Sequence, residues 1–158
     1  MAKLIQSGGK PQGRDADKET PLAEPHPSYL LWQVSHHSFH ILDEVLAPIA
    51  LRARPFAFML LLRQHGSVSQ QELASIAGVD PSTVVTIMDA MERAGLAERR
   101  RNPEDRRAYR LFLTPRGETM LARAEQHLTQ YEERLLEPLS ERERKSLVRL
   151  LTKVLAAR

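Results

Sequence analysis

The fold is decided by residues 69–95, which read SQQELASIAGVDPSTVVTIMDAMERAG. Ser69 begins a predicted helix, because its hydroxyl can accept a hydrogen bond from the first turn while an acidic residue three positions on reaches back. Gly78 ends that helix, since glycine adopts a left-handed conformation without strain. Asp80 suits the N-cap and Pro81 the first position of a second helix. The stretch therefore predicts two helices joined by a tight turn.

The spacing of small and branched residues governs how these two helices pack. Ala74 permits a close approach, Gly78 makes the turn, and Val84 packs back under the first helix. This spacing occurs in helix-turn-helix proteins, whose second helix enters the DNA major groove, although any short helical hairpin could show it. The predicted apolar stripes of the two helices are Leu73, Ile76 and Ala77, and then Val84, Ile87, Met88 and Met91.

A short β-hairpin with an arginine-rich tip is predicted next. Its strands cover residues 96–100 and 108–113, and the dipeptide Asn102-Pro103 between them is typical of a turn. Residues 99–110 contain six arginines and two acidic residues, which gives a formal charge of +4. Since the whole chain carries +3, the remainder sums to −1. Basic charge concentrated beside a helix-turn-helix favours a wing that follows DNA phosphates.

Three short segments, which follow one another along this part of the sequence, carry a more specific signal. They are Gly95-Leu96-Ala97-Glu98-Arg99, Asn102-Pro103-Glu104-Asp105-Arg106-Arg107 and Leu111-Phe112-Leu113-Thr114-Pro115-Arg116-Gly117. Together they resemble the wing signature of the multiple antibiotic resistance regulator (MarR) family, and a weaker similarity extends from about Ser28 to the C-terminus. The resemblance implies a mainly α fold with a small β-hairpin wing, in which a winged helix-turn-helix is combined with N- and C-terminal dimerisation helices. It also implies homodimers that bind pseudo-palindromic double-stranded DNA operators and often respond to small aromatic acids or phenols.

The chain divides into an arm and one domain. Residues 1–27 are predicted to be a flexible N-terminal arm, because they are rich in glycine, proline and charge and show no hydrophobic period. Residues 28–158 form the MarR-like domain, with the winged helix-turn-helix DNA-binding lobe at 54–114 and dimerisation helices at 28–50 and 115–158. The broad apolar faces of the terminal helices favour burial in a homodimer; a bundle within one chain is the alternative.

Hydrophobic periodicity predicts four helices outside the central stretch. They cover about 28–49, 55–64, 115–137 and the residues from 141 onward, where Ser140 and Glu143 form a second capping box. The core candidates of the second of these helices are Phe58, Leu61 and Leu62.

The composition argues against several classes of protein. At 158 residues the chain is long enough for one domain with a sizeable core. It contains no cysteine, which removes disulfides, thiolate zinc sites and cysteine nucleophiles. No apolar run approaches the roughly twenty residues that span a bilayer, and the N-terminus lacks the apolar region of a signal peptide, so a cytoplasmic location is expected. Without a glycine-rich phosphate loop or a metal triad, nothing favours an enzyme or a cofactor.

Predicted DNA contacts come from three parts of the lobe. The outer face of the second helix can reach the major groove, the start of the first helix can meet phosphates, and wing arginines can contact the DNA backbone. The resemblance implies that Arg107 enters the minor groove and that Asp105 braces the hairpin. Arg99 and Arg110 are expected to be solvated charges on the strands. The other predicted contacts are Ser69, Gln70, Gln71, Pro81, Ser82, Thr83, Val85, Thr86, Arg101 and Arg106.

The second helix departs from the family pattern. Family members commonly have arginines at the positions of Thr86 and Ala90. Their absence predicts few base contacts from the helix centre, with more of the affinity coming from the wing and the phosphates and a sequence choice that depends on DNA shape. Taken alone, this helix favours an ordinary solvated face, and the adjacent wing reverses that preference.

Aromatic and basic residues of the first long helix indicate a candidate effector site. Trp32, His36 and His40 recur every four residues and therefore share a helix face. A ring and two imidazoles could hold an aromatic carboxylate, with Arg52 and Arg54 as counter-charges. In the family, ligands lie between the dimer helices and the DNA-binding lobe. The alternatives are a surface or interface patch without a ligand, and a zinc site formed by His36 and His40.

The leading functional hypothesis is a dimeric, sequence-specific transcription regulator. It would be a repressor whose DNA affinity falls when a small aromatic or phenolic ligand fixes the two lobes at an unsuitable spacing. One alternative is a protein-interaction adaptor that uses the winged helix as a docking surface, and another is a zinc-responsive regulator. Steep salt dependence of DNA binding separates the regulator from the adaptor.

Overall fold

The computed structural model describes residues 26–102 and 109–157. Within these ranges the chain is mainly α-helical with a two-stranded antiparallel hairpin, as the sequence predicts. A short 3₁₀ turn, Ala47–Ile49, follows the first helix. The other elements in chain order are α1 (Pro27–Leu46), α2 (Ala53–His65), α3 (Gln70–Ala77), α4 (Pro81–Arg93), β1 (Ala97–Arg101), β2 (Tyr109–Leu113), α5 (Pro115–Glu125), α6 (Leu128–Leu135) and α7 (Glu141–Leu155).

Both helices of the central stretch begin with the predicted caps. The Ser69 hydroxyl accepts a hydrogen bond from the Glu72 backbone N–H at 3.1 Å, and the Glu72 carboxylate accepts one from the Ser69 N–H at 2.7 Å. Gly78 ends α3 in a left-handed conformation with φ of +66°. Asp80 Oδ1 accepts a hydrogen bond from the Thr83 N–H at 2.9 Å. Each cap satisfies amides that a helix terminus leaves without partners.

The core lies between α2, α3, α4, the base of the hairpin and α5. In α3 the prediction is only partly right, because Leu73 is buried but Ile76 is 40% exposed. Helical geometry explains the difference: with Leu73 and Ala74 turned toward the core, Ile76 lies about 60° from Leu73 on the outer side. In α2, Phe58 and Leu62 are buried as predicted while Leu61 is half-buried. The predicted α4 stripe is confirmed for all four of its residues, Val84, Ile87, Met88 and Met91.

The base of the hairpin is tied to both neighbouring helices. The Leu111 N–H donates to the Val68 carbonyl at 2.8 Å, so the segment that precedes α3 pairs with β2. The Thr114 hydroxyl donates to the Gly95 carbonyl at 2.6 Å and accepts a hydrogen bond from the Gly117 N–H at 3.0 Å. Thr114 thus caps α5 and joins it to the loop between α4 and β1.

The single helix predicted for 115–137 is two helices. The helix is interrupted at Gln126 and His127. Their N–H groups donate to the carbonyls three residues back, those of Arg123 and Ala124. Bonds of this tighter 3₁₀ type interrupt the regular α pattern and redirect the chain. As a result α6 packs against α1, where the Tyr131 and Ser38 hydroxyls lie 2.5 Å apart.

The terminal helices present apolar side chains to solvent. No residue of α7 is buried, and Val148 and Val154 are each 62% exposed. In α1 the first half is likewise open, with Trp32 at 56% and Val34 at 54% exposure. The described chain therefore does not form the intramolecular bundle that the sequence left open. No single helix of the described residues is long and apolar enough to cross a membrane; α1 with its 3₁₀ turn and α2 have that length and composition only as a pair bent by 87°.

Candidate nucleic-acid interface

The outer face of α4 is open and lies beside the first strand of the hairpin. Pro81, Ser82, Val85 and Thr86 are exposed, and Thr83 is half-buried, as expected for positions off the buried stripe. Strand β1 approaches this face closely, because the Arg99 guanidinium donates to the Val85 carbonyl at 3.4 Å. The geometry thus combines an accessible helix face with an adjacent arginine-bearing strand.

The hydroxyl groups of α4 are already donating within the helix. Ser82 Oγ and Thr83 Oγ1 both donate to the Asp80 carboxylate, the latter at 2.6 Å. Thr86 Oγ1 donates to the Ser82 carbonyl at 3.1 Å. The hydrogen bonds that Asp80 accepts, the largest effect from Ser82 and the next from Thr83, hold the pKa of its carboxyl well below its usual range. DNA phosphates are acceptors and would have to compete for the same protons, so α4 offers chiefly its apolar groups and acceptor lone pairs.

The start of α3 is also engaged inside the protein. The Ser69 hydroxyl caps the helix, and the Glu72 carboxylate occupies the Ser69 N–H. With its amide oxygen turned toward Arg99, Gln70 accepts hydrogen bonds from Nε at 3.0 Å and Nη2 at 3.3 Å. Gln71 is exposed at the helix start. Of the three predicted phosphate contacts here, Gln71 is the one whose side chain the structure leaves open to solvent.

The described arginines of the wing divide into paired and unpaired groups. The expectation that Arg99 and Arg110 are solvated charges is wrong. The Arg99 side chain is 18% exposed and pairs with Asp89 and Glu92, and Arg110 lies 3.1 Å from Glu72. All three partners lie outside the wing, in α4 and α3, so a charge count over the wing alone could not reveal these pairs.

Two further strand arginines differ in the same way. Arg100 Nε donates to Glu98 at 3.0 Å, and its guanidinium lies 4.8 Å from the centre of the Phe112 ring. Arg101, at the end of β1, is exposed and makes no ion pair within the part of the chain that the structure describes. The remaining predicted wing residues, Asp105, Arg106 and Arg107, and most of the predicted turn lie outside the described residues.

A cleft of about 730 Å³ separates α1 and the start of α2 from α4. It meets a second cleft of about 530 Å³ that extends along α2 toward Asp80. Thr86 and Ala90 form part of the α4 wall. Of the predicted effector residues, His36, Arg52 and Arg54 line the larger cleft and Trp32 and His40 do not.

Of the three predicted aromatic and imidazole residues of α1, Trp32 and His36 lie together and His40 has a different partner. Trp32 stacks on Tyr29, with ring centroids 5.9 Å apart, and lies 4.3 Å from the His36 ring. His40 instead lies 3.1 Å from the carboxylate of Glu44, which also binds Arg134 of α6. Among residues 26–102 and 109–157, no three potential metal ligands are grouped together.

Asp43 also lines the cleft, although the sequence did not indicate it. Its Oδ1 accepts a hydrogen bond from the Ala53 N–H at 2.6 Å, and its Oδ2 lies 2.8 Å from Arg52. The signal in the sequence is that residues 47–54 contain no Ser, Thr, Asp or Asn that could cap α2, so the cap has to come from elsewhere. Because Arg52 is paired, Arg54 is the cleft arginine without an ion pair in the described part of the chain.

Known proteins share this arrangement. The MarR family model matches residues 52–109. The chain is 29% identical to the HTH-type transcriptional regulator PecS of Dickeya dadantii over 86% of each chain. Among solved structures, the transcriptional repressor CouR bound to a 23-mer DNA duplex is 34% identical, with a TM-score of 0.74 over 84% of this chain and 93% of that one. The Mycobacterium tuberculosis MarR family protein Rv2887 in complex with salicylic acid is 27% identical, with a TM-score of 0.70 over 84% and 98%.

These similarities extend beyond the lobe. The family model covers the helix-turn-helix and the first strand, whereas the match to CouR covers nearly the whole length of that chain. The fold, the exposed α4 face and the arginine-bearing hairpin agree with that relationship. The chain belongs to the MarR family and is a winged helix-turn-helix transcription regulator, not an enzyme.

Proposed function

We propose that the protein is a homodimeric repressor that binds a pseudo-palindromic DNA operator in the cytoplasm and is released by a small aromatic acid. The observation that carries this proposal is the 34% identity to CouR, a repressor solved on a DNA duplex, in a match that covers 84% of this chain and 93% of the CouR chain. The exposed α4 face beside β1 gives the same surface to this chain. Steep salt dependence is expected, because the wing arginines displace counterions from the DNA backbone.

The exposed apolar faces of α1 and α7 support the homodimer. Val148, Val154 and Leu155 are each about 60% exposed in the single chain, and apolar surface of this kind is stable in water when a second copy covers it. A two-fold dimer presents two α4 helices to successive turns of the duplex, so the operator is expected to be a pseudo-palindrome.

The wing is assigned most of the DNA affinity in this proposal. Arg101, Arg106 and Arg107 supply cationic groups, with Arg107 in the minor groove and Asp105 bracing the hairpin. The α4 hydroxyls contribute less, because Asp80 and the helix backbone already hold their protons. Pro81 and Val85 can contact thymine methyl groups. Sequence choice is therefore expected to depend strongly on DNA shape.

The cleft between α1 and α4 is assigned as the effector site. Arg54 can bind a carboxylate, and the apolar lining, which includes Phe39 and Ile87, can hold an aromatic ring. Since Thr86 and Ala90 form the opposite wall, a bound ligand pushes against the recognition helix. Binding then shifts the population toward lobe positions that fit the operator poorly.

Salicylate is the probe that tests this site. We expect it to release the wild-type protein from its operator, and the Arg54→Ala variant to need about tenfold more salicylate, the effect of losing one charge-assisted hydrogen bond. Arg123→Ala, an exposed arginine of α5 outside the cleft, serves as the matched control and should respond as wild type. An equal salicylate response of both variants would reject the assignment of the cleft.

A further inference from the structure

Arg99 joins the wing to both helices of the helix-turn-helix. Its Nη1 lies 2.8 Å from Asp89 Oδ1 and also donates to Glu92. Its Nη2 donates to the Val85 carbonyl, and the Gln70 side-chain amide, with its oxygen turned toward Arg99, accepts from Nε and Nη2. One guanidinium therefore contacts three successive turns of α4 and the first residue of α3.

The backbone at this position strengthens the same link. The Arg99 N–H donates to Glu92 Oε1 at 2.8 Å, so one carboxylate holds both the main chain and the side chain of β1. On the opposite strand, Arg99 is paired with Leu111, which is fully buried. The side chain is 18% exposed, and its donors point at protein acceptors. Arg99 is thus poorly placed to contact a phosphate.

We propose that Arg99 is a positioning residue, which fixes the wing relative to the recognition helix and thereby sets operator specificity without touching DNA. This inference rests on the proposed function, since it assumes an operator that α4 and the wing contact together. The planar fork of arginine is required, because it holds five N–H donors in fixed directions toward these acceptors, whereas a lysine ammonium is a compact point charge with three donors.

The physical consequence is a loss of selectivity rather than of general affinity. The protein binds its operator more tightly than other DNA because α4 and the wing, held at one spacing, contact their sites at the same time. When this link is loosened, the wing has to become ordered against α4 as the protein binds. The free energy that this ordering costs lowers the affinity for the operator. Contacts of the remaining arginines with any DNA backbone persist, so non-specific binding is retained.

Direct phosphate contact by Arg99 makes the opposite prediction. Removing a phosphate-binding cation weakens binding to all sequences about equally and reduces the slope of log affinity against log salt by about 1. Removing a carboxylate that competes for Arg99 would then strengthen binding. The two explanations therefore differ in the selectivity ratio, in the salt slope and in the sign of the Glu92 effect.

The experiment compares Arg99→Gln with Arg101→Gln, a matched change two residues along the same strand. The probes are a duplex selected by the wild-type dimer from random sequences and a scrambled duplex of equal composition. Dissociation constants are measured on both duplexes across a salt series, and thermal denaturation verifies that each variant is folded. Arg99→Lys and Glu92→Gln are measured as well, so that a folding failure of one variant does not decide the result.

We expect Arg99→Gln to lower the ratio of selected to scrambled affinity by about tenfold or more, comparable to one mismatched base pair, with the salt slope unchanged. Arg99→Lys and Glu92→Gln should lower the ratio too, whereas Arg101→Gln should reduce the slope and leave the ratio intact. An unchanged ratio in folded Arg99→Gln, or a reduced slope with equal weakening on both duplexes, would overturn the inference. A wild-type dimer that prefers no duplex would instead refute the proposed function itself.

Discussion

Asp80 shows how one side chain can both build and limit a recognition helix. Its carboxylate caps α4 by accepting a hydrogen bond from the Thr83 N–H, and it also accepts hydrogen bonds from the Ser82 and Thr83 hydroxyls. The cap was predictable from the Asp-Pro pair, because it is a local backbone requirement. The capture of both hydroxyls was not, since rotamers of short polar side chains depend on which acceptor lies nearest. Two residues that the sequence predicts as DNA contacts, Ser82 and Thr83, are therefore donors to Asp80.

Replacing Asp80 by asparagine should change the acid stability of the protein. The pKa of folded Asp80 is lowered, first by its hydrogen bond from Ser82, so the ionised carboxylate stabilises the fold above its unfolded pKa near 3.8. That contribution is lost as the pH falls from there through the folded pKa. We expect Asp80→Asn to have a lower Tm than wild type at pH 7 and a smaller deficit at pH 3. Glu133→Gln, in the middle of α6, is the charge control; a deficit independent of pH would contradict this account.

Gly117 is required by space rather than by backbone conformation. A Cβ at this position would overlap the Leu96 carbonyl oxygen and lie 3.2 Å from Leu113 Cδ2. We expect Gly117→Ala to lower the free energy of unfolding by about 2 kcal/mol, as overpacking does, in urea denaturation. Thr119→Ala, an exposed change in the same helix, should stay within about 0.5 kcal/mol of wild type. Equal stability of the two variants would show that α5 can move away from the wing base without cost.

At the scale of elements, the sequence predicted what local chemistry determines. The caps of α3 and α4, the buried stripe of α4 and the hairpin follow from neighbouring residues, and the structure agrees with them. The break at Gln126 was not predictable from the apolar repeat, because Leu121, Ala124 and Leu128 continue at helical spacing through it. The pairing of Arg99 and Arg110 with residues of α4 and α3 was equally hidden, since it depends on how the elements meet.

The start of α2 tests such an interaction between elements. Asp43 of α1 caps α2 and pairs with Arg52, so α1 and α2 depend on one carboxylate. We expect Asp43→Ala to lower the free energy of unfolding by about 1–2 kcal/mol, the range for loss of a helix cap, in chemical denaturation. Asp43→Asn should recover part of the loss, because an amide oxygen can still accept from Ala53. Wild-type stability of Asp43→Ala would rule out the cap.

In the whole molecule, α1 and α7 expose apolar faces that a second copy of the chain would bury. Val154 lies on the apolar face of α7, and Arg149 lies on the opposite face. We expect Val154→Glu to convert the dimer to monomer in sedimentation or light-scattering measurements, because it buries a charge in an apolar interface. Arg149→Glu should remain dimeric. Dimers of equal stability in both variants would place the interface elsewhere.

The lobe and the terminal helices together account for a regulator that reads DNA as a dimer. Of the residues predicted for an effector site, Arg52, Arg54 and His36 line the cleft between α1 and α4, whereas Trp32 packs on Tyr29 and His36 without lining the cleft and His40 lies against Glu44. That difference arises because residues four apart drift around a helix and the cleft is bounded by three elements. Family membership establishes the class of protein, and the affinity for an operator tests the proposed DNA interface.

The most direct test is fluorescence anisotropy on a duplex enriched by the protein from fragments of its own genome, beside a scrambled duplex. The measurement covers a salt series and includes Arg107→Ala. We expect the enriched duplex to bind about a thousandfold more tightly than the scrambled one, its affinity to fall steeply with salt, and Arg107→Ala to lose much of that affinity. Equal, weak binding to both duplexes, or an Arg107→Ala variant with the wild-type dissociation constant, would contradict this expectation.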